Sequence, residues 1–126
     1  MSINSDLKPV GSDLQYWYSG YLIVRDRPEE ITRHVADLLI DCPSFEVTST
    51  AIELEYKGRD SGRAIPRALL RLARLIENAD GEVRCQIEGD SDQLRFEFYR
   101  IRDGRLFRQP AELIRQPERE VTDVAL

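Results

Sequence analysis

The sequence predicts an α+β fold: a two-layer sandwich in which a mainly antiparallel five-stranded sheet carries two helices on one face, in the order β-α-β-α-β-β-β. Segments 28–41 and 64–79 repeat apolar residues at helical spacing. Segments 83–87 and 94–98 alternate apolar and polar residues, the pattern of a sheet with one buried and one wet face. The 126 residues suffice for one core and leave no room for a second.

Residues 1–13 read as a loose leader, rich in Asn, Ser, Pro and Gly. Leu14 to Val24 holds Tyr16, Trp17, Tyr18, Tyr21, Ile23 and Val24, a strand composition, with a bend expected at Ser19–Gly20. Pro28 suits the first helical position, and Glu29 and Glu30 complement the helix dipole. Ile31, Val35, Leu38 and Leu39 form the apolar stripe of that helix, which Cys42–Pro43 terminates. A second strand is expected from Phe45 to Lys57, with a bulge near Ser49–Ala51 where the apolar phase changes. After the 58–62 loop, Ile65, Leu69, Leu72, Ala73 and Ile76 stripe the second helix, and Pro66 places its start near Arg63 to Ile65.

In the third strand Val83, Cys85 and Ile87 are expected to face the core. In the fourth, Leu94, Phe96 and Phe98 are expected inward and Arg95 and Glu97 outward. Asp103–Gly104 signals a two-residue hairpin into a short fifth strand at 105–109. Residues 110–116 fit a helical turn or an extended segment. The domain is thus read as 1–116, and 117–126 as a mobile tail. In this phasing Tyr99, Ile101 and Leu106 form an apolar patch on the wet face, to be covered by Leu113–Ile114.

The formal net charge is −5, from 18 basic and 23 acidic residues, which argues against nucleic acid as a partner. No apolar run approaches a membrane span, and Met1–Val10 is too polar for a signal peptide. Cys42 and Cys85 stand apart with no paired spacing, a usage that suits the reducing cytoplasm.

The sequence offers no catalytic constellation, so a non-enzyme without metal or cofactor is expected. His34 is the lone histidine and reads as a partly buried helix residue. Gly58 to Arg63 resembles a phosphate loop only loosely and lacks its Lys-Ser/Thr ending, so ordinary helix capping is expected there. Glu53 and Glu55 share the wet face of a strand, where Arg84 and Arg95 are expected to balance them. Arg63, Arg67, Arg71 and Arg74 line one side of the second helix as a continuous stripe to which the sequence assigns no ligand.

Residues 29–55 hold seven acids against one arginine, so charge is segregated along the chain. Segregated charge favours oriented protein association. The expected function is a small acidic bacterial interaction module, of the kind that acts as an immunity protein or antitoxin against a basic toxin domain. The expected contact residues are Glu53, Glu55, Asp90 and Asp92, with Tyr16, Trp17 and Tyr99 as aromatic anchors. The alternative is a regulatory or small-ligand-binding domain whose aromatic run at 16–21 lines a pocket.

Overall fold

The computed structural model describes residues 14–40, 42, 44–89 and 94–122. Its elements are β1 (Gln15–Val24), α1 (Pro28–Leu38), β2 (Phe45–Val47), β3 (Ala51–Gly58), α2 (Ala64–Ile76), β4 (Ala79–Glu88), β5 (Arg95–Arg102) and β6 (Arg105–Glu112). They make an α+β fold with one antiparallel sheet, ordered β2-β3-β1-β4-β5-β6, and two helices. The sheet has six strands where five were expected.

The extra strand comes from the 45–57 segment. Phe45 pairs with Leu54 and Val47 with Ile52, so the chain reverses between them. Thr48 makes the turn: its Oγ1 accepts the Thr50 and Ala51 N–H groups, and its own N–H donates to the Ala51 carbonyl at 2.8 Å. The phase change at 49–51 therefore marks a hairpin and not a bulge. β1 is likewise unbroken at Ser19–Gly20, pairing continuously with β3 and β4. Gly20 has φ 152°, and a Cβ there would strike the Glu82 carbonyl oxygen, so glycine serves the close approach of β4.

Both helices end earlier than expected. Leu39 donates its N–H to Val35 at the end of α1. α2 stops where Glu77 takes φ 66° and donates to the Ala73 carbonyl. The β5–β6 turn docks on that end, with the Asp103 N–H on Asn78 Oδ1 at 3.0 Å and the Gly104 N–H on the Glu77 carbonyl at 2.9 Å. Asp103 and Gly104 both have positive φ, 53° and 71°, as a two-residue hairpin of this hand requires. β6 continues to Glu112, so the extended one of the two conformations expected from Pro110 onward is found there. Pro110 is tolerated because β6 is an edge strand.

The core joins the apolar stripes of both helices to one strand phase: Tyr16, Tyr18, Leu22 and Val24 of β1, Ile52 and Leu54 of β3, Val83, Cys85 and Ile87 of β4. On β5 that phase is Tyr99 and Ile101, since Val83 pairs with Tyr99 and Cys85 with Glu97. The expected phase is reversed: Phe96 and Phe98 are half-buried on the opposite face, and Glu97 points toward α2. The expected patch of Tyr99, Ile101 and Leu106 is therefore core, and Leu113 and Ile114 are exposed, covering nothing there.

Ile101 is 1% exposed, so Ile101→Ala should cost about 2–5 kcal/mol in urea unfolding. Phe96→Ala should cost clearly less. A larger loss at Phe96 than at Ile101 would reverse the assignment of faces.

Candidate functional site

Two groups of polar side chains stand out, one inside and one outside. The inner group locks the start of α2 to the sheet. Asp60, in the loop before the helix, accepts the Ala64 N–H on Oδ1 at 2.8 Å. Its Oδ2 accepts the Tyr18 hydroxyl at 2.7 Å and the Ile65 N–H at 3.4 Å. This carboxylate satisfies the helix N-terminus, so the Gly58–Arg63 loop is a capping loop, as expected.

Arg63 precedes the helix in a left-handed conformation, φ 56°, and turns its guanidinium inward. It pairs with Glu97 Oε1, donates to the Tyr99 hydroxyl at 2.8 Å and lies 4.8 Å above the Tyr16 ring. Tyr99 in turn donates to Glu97 Oε1 at 2.6 Å, and Arg108 approaches Oε2 at 3.5 Å. Arg63 thus leaves the expected arginine stripe, which shrinks to exposed Arg67, Arg71 and Arg74.

Burial raises the Tyr18 hydroxyl far above its usual range, helped by its bond to Asp60. Tyr99 is raised by burial and by Glu97. Burial also pushes the Cys85 thiol up to about 12, with Glu97 adding to it. Arg63 rises as well: burial works against its charge, but the bond to Glu97 together with the fields of Tyr18, Tyr99 and Glu97 outweighs it. Among the described residues, no buried side-chain polar atom lacks a hydrogen-bond partner, so this network is closed.

The outer group lies on the opposite face of the sheet. Trp17, Tyr21 and Ile23 run down its middle on β1, and Phe96, Phe98 and Phe107 stand on β5 and β6. Phe96 and Phe98 stack at 6.3 Å between centroids. Trp17 Nε1 donates to Glu55 Oε2 at 2.6 Å while Lys57 covers its ring. The charges are sorted by flank. Glu46, Glu53 and Glu55 occupy β2 and β3 with Lys57 as their one basic neighbour there, whereas Arg100, Arg102 and Arg105 occupy β5 and β6. Arg100 pairs with Glu82 of β4, and Arg102 lies over the Phe107 ring.

The expected contact residues are divided by this geometry. Glu53, Glu55 and Trp17 lie together on the open face. Tyr16 and Tyr99 are core residues at 4% and 2% exposure and cannot serve as anchors. Asp90 and Asp92 lie outside the described residues. Arg84 is on the open face but separated from Glu55 by β1, and Arg95 belongs to the other phase, so the expected balance of Glu55 is replaced by its bond to Trp17. The acidic 29–55 segment is not one surface, because Glu29, Glu30 and Asp37 ride on α1. His34 is exposed, against the expected partial burial. Tyr21, Phe96, Phe98 and Phe107 were missed as surface aromatics. Among the described residues, no three His, Cys, Asp or Glu side chains converge as metal ligands, and no helix is long and apolar enough to cross a membrane. No protein-family model matches the chain, and no curated protein or solved structure gives a significant match.

Asp60→Ala should cost about 2–4 kcal/mol, since it removes a helix cap and strands the Tyr18 hydroxyl, while Asp60→Asn should lose less. Urea unfolding at neutral pH measures both. Tyr18, Tyr99 and Cys85 all titrate higher folded than unfolded, so they stabilise fully below their unfolded pKa values. Stability should therefore fall as pH climbs past about 8.5 for the thiol and about 10 for the phenols. Thermal melts across the alkaline range read this loss directly.

Proposed function

We propose that the chain is a non-catalytic protein-interaction module whose interface is the open face of the sheet. One observation carries the reading. Among the described residues, both helices pack against one face of the sheet and no described element covers the other, which holds surface aromatics between flanks of opposite charge. Exposed apolar patches of this kind mark interaction sites, and aromatic residues supply most of the energy in them.

The partner is a protein that meets the β2–β3 flank with a basic surface and receives Trp17 and Tyr21. A small acidic module that covers the basic groove of a bacterial toxin, as an immunity protein or antitoxin does, answers to that description. The free thiols of Cys42 and Cys85 suit a reducing cytoplasm. The alternative, a regulatory or small-ligand-binding domain, would draw on Trp17 and Tyr21 of the 16–21 run, since Tyr16 and Tyr18 are packed in the core.

Capture of the partner from the native host supplies the second component of the test. Glu53→Lys with Glu55→Lys should slow association and flatten its salt dependence, because exposed charges act mainly on encounter rate. Trp17→Ala should speed dissociation at least tenfold, as loss of an interface anchor does. A folded double variant with an unchanged on-rate at low salt would show that the open face is not the interface.

A further inference from the structure

We infer that the open face also binds a second copy of this chain, forming a two-fold dimer in which the two sheets stack face to face. The inference rests on the open face being an interface and names what occupies it when the partner is absent.

Two pairs of like charges point to this occupant. Glu46 and Glu53 are directly opposed across β2 and β3 on the open face. Arg102 and Arg105 are directly opposed across β5 and β6 on the same face, at the other side of the sheet. Like charges facing each other across strands destabilise a sheet unless something neutralises them. Among the described residues, Glu46, Glu53 and Arg105 have no ion-pair partner, and Arg102 has only the ring of Phe107. One flank thus holds an unneutralised acidic pair and the other an unneutralised basic pair.

A second copy supplies both missing partners at once. When one sheet is turned over onto another about an axis parallel to the strands, β2–β3 of each copy lies over β5–β6 of the other. Acid then meets base on both flanks, and the strands stay aligned, as in ordinary packed sheets. Turning about an axis across the strands would put acid on acid and base on base. The charge pattern therefore selects one dimer and opposes the other. Two-fold symmetry needs such a self-complementary patch.

Size and chemistry agree with that arrangement. Six strands at about 4.8 Å spacing and about eight residues of length give a face on the order of 750 Å². A standard specific interface takes about 800 Å² from each partner. The middle of the face offers Trp17, Ser19, Tyr21 and Ile23 of β1, with Tyr21 at 55% and Ile23 at 40% exposure in the single chain, beside Glu82, Arg84 and Gln86 of β4. Stacking buries the β1 side chains while the like-charge pairs sit at the rims, and the turned-over copy lays β1 of each chain over Glu82 and Arg84 of the other.

Sedimentation velocity of the full chain, without any partner, tests the inference. Wild type should run as a dimer that weakens with added salt. Glu46→Lys with Glu53→Lys makes both flanks basic, and Arg102→Glu with Arg105→Glu makes both acidic. Each double variant alone should be a monomer, and an equimolar mixture of the two should regain the dimer. Regain of the dimer also shows that both variants are folded. Wild type that stays monomeric at about 100 μM, where an interface of this size is occupied, would overturn the inference. So would variants that remain dimeric alone, or a mixture that stays monomeric while circular dichroism shows both folded. Failure here leaves hetero-partner binding standing, and failure of partner capture leaves the dimer standing.

Discussion

Glu97 needs a cation on the helix side of the sheet, and Arg63 supplies it. A carboxylate at 13% side-chain exposure is costly unless it is paired and hydrogen-bonded. The Arg63 guanidinium, the Tyr99 hydroxyl and Arg108 together meet that need. Once Glu97 is held inward, period-2 geometry puts Tyr99 and Ile101 in the core and sends Phe96 and Phe98 to the other face. A single ion pair thereby decides which aromatics the protein keeps and which it displays. The same pair ties α2 to β5, while the Tyr18–Asp60 bond ties it to β1, the strand between β3 and β4.

The left-handed backbone at Arg63 belongs to this constraint. A non-glycine residue there is strained unless its surroundings hold it. Here the side chain is gripped by Glu97 and Tyr99, and Asp60 caps the helix in place of the residue that would normally do so. Lysine would keep the charge but lose the flat guanidinium that covers the Tyr16 ring while its Nη2 serves both Glu97 and the Tyr99 hydroxyl.

Much of this was legible in the chain itself. Both helices, the alternation of β4 and the Asp103–Gly104 turn follow from local spacing, and so does the placing of Glu53 and Glu55 on the open face. Two features were not. The β2–β3 turn is built from Thr48, Ser49 and Thr50 with no glycine or asparagine, so it looks like a change of phase inside one strand. The phase of β5 was misread because Leu94, Phe96 and Phe98 outweigh Tyr99 and Ile101 on any apolar count. The residue that sets the true phase, Arg63, is 34 positions from Glu97, and no window of local sequence contains both. The candidate site inherits that error directly: Tyr99 was expected outside and Phe98 inside.

The edges of the sheet favour the proposed use of its exposed face over strand addition at an edge. An open edge presents unpaired backbone groups to any passing strand, and natural sheets blunt it. β2 is only three residues long, and β6 carries Pro110, which has no N–H to offer. Neither edge is a good template for strand addition. The face differs in kind, because its attraction comes from side chains whose signs and positions are specific. A uniformly apolar face would stick to anything, whereas flanks of opposite charge accept only partners that present the reverse pattern. Short or proline-bearing edges and charge-sorted flanks thus both bear on the proposed association: the first disfavour strand addition, and the second restrict the orientation in which a partner could meet the face.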